Sequence, residues 1–173
     1  MSITEKLSKY GLSEKLQACL KMEMQCADVY HTLVTLFPER LFPDARELFQ
    51  TLAEWEERHA DIIAISIQFN NVDEIPDIIV PDEMSMINVT LGIAQDIKSR
   101  LDDSRITLKM ALSMILKLEE SAGESYLQDI MTKQTDSEVI LYLQQFYKDE
   151  KTHAEMIKEL MLKKDFLTTV SYN

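Results

Sequence analysis

Two of the three histidines in this 173-residue chain close a Glu-x-x-His: Glu56-Glu57-Arg58-His59 and Glu150-Lys151-Thr152-His153. Positions i and i+3 share one face of a helix, so each pair can turn a carboxylate and an imidazole toward one cation. A single such pair is a weak signal in a chain with 30 acidic residues, and two in corresponding places are a stronger one. Upstream of each stands a glutamate set in an apolar stripe. Glu23 shares its face with Leu16, Cys19, Ala27 and Tyr30, and Glu119 shares its face with Leu112, Ile115, Ala122 and Tyr126. A carboxylate in such a stripe is costly unless it is paired or bound to a metal. The spacing repeats as well: Glu23 leads Glu56 by 33 residues, Glu119 leads Glu150 by 31, and each leads its tyrosine by seven.

The candidate ligands are therefore Glu23, Glu56 and His59 in one half, and Glu119, Glu150 and His153 in the other. Four carboxylates and two neutral imidazoles carry a charge that two divalent cations cancel. Without them the clustered carboxylates repel and take up protons. Mixed oxygen and nitrogen donors suit iron or manganese, and the absence of thiolate speaks against a structural zinc site. Two iron ions are the expected occupants, with manganese or zinc as alternatives. The competing reading of each Glu-x-x-His is a surface pair, and that of the tyrosines is core packing. Glu120 competes with Glu119, but it shares its face with Ser113, Lys117 and Glu124, a wetter stripe. His31 follows Asp28 by three, yet Asp28 lies about 140° around the helix from Glu23, which assigns that pair to the surface. Cys26, one turn beyond Glu23, reads as small core packing.

These residues need long helices to converge. With 3 Gly and 4 Pro in the whole chain, and the prolines between the periodic segments, the pattern is all-helical. The first helix is expected over 13–36, stopped by Pro38 and Pro43. The second runs over 43–69, with Asp44 as cap and Glu47 three residues on. A connection over 70–104 follows, whose second half, 83–101, has the spacing of a short helix. A third helix is expected over 104–132. A fourth, over 135–164, opens on the capping box Thr135-Asp136-Ser137-Glu138, and 165–173 remain as a tail. Two antiparallel hairpins joined by one long crossover make a ferritin-like four-helix bundle, a single domain over 1–164.

Composition bounds the partners. The formal net charge is −12, which repels nucleic acid and anionic membrane surfaces. No apolar run reaches the length of a membrane span, and Met1–Leu7 carries no leader-like stretch. Cys19 and Cys26 are two turns apart on one helix, roughly 10 Å, too far to pair with each other. No Cys-x-x-Cys is present, which excludes a cysteine-bound zinc or rubredoxin-type iron within this chain. The expected compartment is the cytoplasm.

Over roughly residues 13 to 162 the pattern resembles the rubrerythrin-like branch of the ferritin-like di-iron superfamily. The resemblance implies that Glu23, Glu56, His59, Glu119, Glu150 and His153 bind two irons, with Glu56 and Glu150 at the bridging positions. It implies that Tyr30 and Tyr126 hydrogen-bond near the site. The sequence departs from that branch in two places: it has no rubredoxin domain, and Ala122 stands where those proteins carry an extra carboxylate. The implied activity is reduction of hydrogen peroxide or dioxygen, with electrons from an external donor such as a rubredoxin-type protein. A ferroxidase or iron-handling role is the alternative, and a metal-free helical interaction module a third. The long connection also allows hairpins to be exchanged within a homodimer.

Overall fold

The computed structural model describes residues 12–70, 84–102, 105–121 and 152–167, with a few single positions between 132 and 145. Five helices are bounded among them: α1 Leu12–Leu36, α2 Pro43–Asn70, α3 Met84–Leu101, α4 Leu108–Glu119 and α5 His153–Lys163. No strand occurs among the described residues. None of the described helices is long and apolar enough to cross a membrane. The fold is the expected all-helical, ferritin-like bundle.

α1 ends where Phe37 donates to the Leu33 carbonyl at 2.9 Å and Pro38, with no N–H, cannot extend the ladder. Phe37 then packs edge-on to Phe42, with centroids 5.2 Å apart. Arg46 reaches back from α2 to the Val34 carbonyl at 2.7 Å, satisfying an acceptor that the end of α1 leaves open. The turn is short enough to fold α2 antiparallel on α1. α2 starts at Pro43 as expected, but Asp44 does not cap it. Arg46 N–H donates to the Phe42 carbonyl at 2.9 Å, so Phe42 caps and Pro43 takes the first helical position, where its missing N–H costs nothing. Asp44 lies inside the first turn and is not a cap. Its carboxylate pairs with Lys163 at 3.1 Å and Lys164 at 3.0 Å, and those two lysines hold it below the usual carboxylate range.

The crossover contributes a full member of the bundle. α3 packs against both α1 and α4, α4 packs on α5, and α5 packs on α2, so the five helices close a ring around one core. α3 buries Ile87, Thr90, Leu91, Ala94, Ile97 and Leu101, the i, i+3/i+4 spacing of an inward face. Gly92 lies on its exposed side, where an added Cβ would meet nothing within 4 Å.

The third and fourth helices differ from expectation at their inner ends. α4 opens after Thr107, whose side chain accepts from Met110 N–H, and closes at Glu119 with Glu120 as cap; residues 122–131 of the helix expected to 132 lie outside the described residues. Ser121, next along, gives its hydroxyl to a 2.6 Å bond with Thr90 of α3, and serine that finds a partner off the helix favours its end. α5 opens at His153; of the helix expected from 135, residues 135–140 and 146–151 lie outside the described residues, and Leu141, Tyr142 and Gln144 are helical. Thr152 is extended (φ −70°, ψ 151°) and forms a reciprocal capping box with Glu155. The chain thus contains a second Thr-x-x-Glu, Thr152 to Glu155, and that one starts the described helix. At the other end Asp165 adopts φ 56°. Phe166 N–H reaches the Met161 carbonyl at 2.8 Å and Asp165 N–H that of Leu162 at 3.0 Å, the paired bonds of a Schellman turn. Phe166 packs against the core there.

Candidate metal centre

Five of the six expected ligands are brought together from four helices. Glu23 comes from the middle of α1, Glu56 and His59 from one face of α2, Glu119 from the last position of α4 and His153 from the first position of α5. Each is at most 3% exposed. Glu150, the sixth, and Tyr126 lie outside the described residues. Glu120, beside Glu119, is exposed and pairs with Lys158 at 2.6 Å. His31 is exposed and meets Glu57 at 2.8 Å, while Asp28 pairs with Lys98.

Glu56 is the hub. Its Oε1 lies 2.8 Å from His153 Nδ1 and its Oε2 3.4 Å from His59 Nδ1. His59 Nδ1 is also 3.5 Å from Glu23 Oε2. The two imidazoles stack, with centroids 5.3 Å apart and planes 8° from parallel. His153 Nδ1 further meets Glu119 Oε2 at 3.1 Å, and the Tyr30 hydroxyl donates to Glu119 Oε1.

The electrostatics are those of an anionic cluster out of water. Burial, and then the charge of Glu56, push the Glu23 carboxyl up to about 8. Burial acts on Glu56 in the same direction, but His153 and His59 beside it outweigh that and hold it below the usual carboxylate range. Tyr30 is pushed well up by burial and by the charges of Glu119 and Glu56, so it keeps its proton and stays a donor. Glu119 ends α4, where the helix dipole is negative, and the Tyr30 hydrogen bond offsets that placement.

The donors fit a metal ion. All four carboxylate oxygens of Glu23 and Glu56 are buried and accept no hydrogen bond among the described residues, a costly state for a carboxylate. Lone pairs that approach imidazole nitrogens without hydrogen-bond alignment are what a shared cation would reconcile. One ligand atom each from Glu56, His59 and His153 lie within 4.8 Å of one another. Donors at about 2.0–2.2 Å from one ion are at most about 4.4 Å apart, so a small inward shift of these atoms would bring all three onto a single cation.

One neighbour of the cluster was not legible in the Glu-x-x-His pattern. The Trp55 ring lies 5.2 Å from that of His153. Its signal in the sequence is its position four residues before His59, on the same helical face.

Against known proteins, a family model described as Rubrerythrin matches residues 14–161. No curated protein and no solved structure matches the chain.

Proposed function

The chain belongs to the rubrerythrin family, whose members bind di-iron sites, and from that premise we propose that it reduces hydrogen peroxide or dioxygen with electrons from an external donor such as a rubredoxin-type protein. In this reading Glu23, Glu56 and His59 would hold the metals together with Glu119, Glu150 and His153. The observation that carries the reading is Glu56 itself, buried, with one oxygen toward each imidazole.

When bound, the two irons supply the pair of electrons that, with two protons, converts hydrogen peroxide to two waters. The chain's own residues set the conditions. Glu23, Glu56 and Glu119, all buried, together with Glu150 would supply the four negative charges that two divalent cations cancel. His59 and His153 would act as nitrogen donors to the metals. Tyr30 holds a proton on its hydroxyl, aimed at Glu119 Oε1, and so fixes that carboxylate's orientation, as outer hydrogen bonds do for metal ligands.

Elemental analysis of the purified chain, followed by stopped-flow mixing of the ferrous protein with peroxide or with dioxygen, tests this. Two irons per chain and faster oxidation by peroxide are expected for peroxide reduction. Oxidation faster with dioxygen, with the ferric product released, marks a ferroxidase instead. A chain that takes up no metal and loses no stability in chelator is a helical interaction module.

A further inference from the structure

Trp55 is the single tryptophan of the chain, half-buried on α2 directly before Glu56. Its ring centroid lies 5.2 Å from that of His153, with the planes 34° apart. On α2 the residue four positions on is His59, whose ring stacks on His153 at 5.3 Å. One imidazole from α5 therefore packs against two rings that share a face of α2. We propose that Trp55 is a positioning residue for the metal centre, its indole fixing the ring plane of His153 so that Nδ1 is aimed at Glu56 and Glu119.

His153 has particular need of such a contact. It is the first residue of α5, and Thr152 before it is extended, so no preceding turn of that helix packs against its side chain. Turning the ring over about its Cβ–Cγ bond would replace Nδ1 with a carbon and remove the 2.8 and 3.1 Å approaches to Glu56 and Glu119. A broad aromatic face beside the imidazole restricts that turn through ring packing of the offset or tilted kind that aromatic pairs prefer. His59, the other neighbour, is itself a candidate ligand and meets Glu23 and Glu56. That leaves Trp55 as the ring in the group without a donor role.

The inference rests on the reading of this cluster as a two-metal site, and cobalt(II) titration of the full chain separates the two. The wild-type chain, stripped of metal, is expected to bind two Co²⁺, with its one indole emission quenched in step with binding. Trp55→Leu is expected to weaken one of the two sites by about ten- to a hundred-fold, the range for residues that orient metal ligands, and to change the cobalt visible bands. Trp55→Phe, which keeps a flat ring, is expected to retain affinity within a few-fold. Urea unfolding of the metal-free variants checks that both are folded. A wild-type chain that takes up no Co²⁺ overturns the two-metal reading and this inference with it. Two bound Co²⁺ with unchanged indole emission, or equal affinity in Trp55→Leu, overturns the role of Trp55 alone. So does a Trp55→Phe chain as impaired as Trp55→Leu.

Discussion

Glu23 offers the sharpest test of the cluster's electrostatics, because its buried carboxyl accepts no hydrogen bond among the described residues and is pushed from 4.5 up to about 8. Consider the metal-free protein in chelator. Below pH 4.5 the group is protonated in both folded and unfolded chains and contributes no pH dependence. Between 4.5 and about 8 the unfolded chain releases a proton that the folded chain retains, so stability falls as pH rises. Above about 8 the curve levels. At 1.36 kcal/mol per unit the full shift corresponds to roughly 5 kcal/mol, comparable to the whole stability of a small domain. Glu56 acts with the opposite sign below that window: its lowered carboxyl contributes stability that is present above 4.5 and lost as pH falls. The assay is urea unfolding of the chelated protein at steps from pH 5 to 8.5, for wild type and Glu23→Gln. The neutral amide cannot titrate, so Glu23→Gln is expected to match wild type near pH 5 and exceed it by a few kcal/mol at pH 8. Adding back metal should reverse the ranking, since the carboxylate is then the better ligand. Parallel wild-type and Glu23→Gln curves across this range would refute the argument.

Four further outcomes follow from geometry already described. Tyr30→Phe removes a buried donor to a carboxylate and should cost about 1.5–3 kcal/mol in chemical unfolding; no loss would mean the Tyr30–Glu119 bond is not formed in solution. Glu119→Gln should lower metal content, whereas Glu120→Gln breaks only an exposed pair and should leave metal content intact and stability within about 1 kcal/mol. Gly92→Ala, on the exposed side of α3 with open space at the added carbon, should stabilise by about 0.5–1 kcal/mol, read as a raised urea midpoint. Asp165→Gly relieves a left-handed backbone at a helix C-terminus and should also stabilise, by about 1 kcal/mol, measured the same way.

Much of the bundle could be read from the chain because its signals are local and strong. Pro38 and Pro43 bracket the α1–α2 turn, and the stripe of Leu112 and Ile115 carries Glu119 inward while Glu120 faces water. The i, i+3 rule put Glu56 and His59 on one face of α2, and they share the cluster. What could not be read was a choice between rival local signals. Thr152-x-x-Glu155, which closes as a capping box at the start of α5, has the same pattern as Thr135-x-x-Glu138, which lies outside the described residues, and periodicity alone does not favour either. Asp44 looked like a cap because its type and the spacing to Glu47 are right, but Pro43 already fits the first helical position and two lysines at the end of α5 claim the carboxylate. Those lysines are some 120 residues away in sequence, so no window-based pattern contains them. Trp55 escaped for the same reason: its partner His153 comes from another helix, and a tryptophan beside a ligand looks like any other core aromatic.

The hub position of Glu56 has a thermodynamic consequence. One carboxylate faces both imidazoles, so the free energy of any event at His153, whether protonation, ligation or substitution, depends on the state of His59. That dependence runs equally in both directions. The repeated halves of the sequence are therefore not two independent half-sites. In the proposed two-metal reading they form one linked system, in which filling one half is expected to change the affinity of the other, and by the same factor in either order of titration.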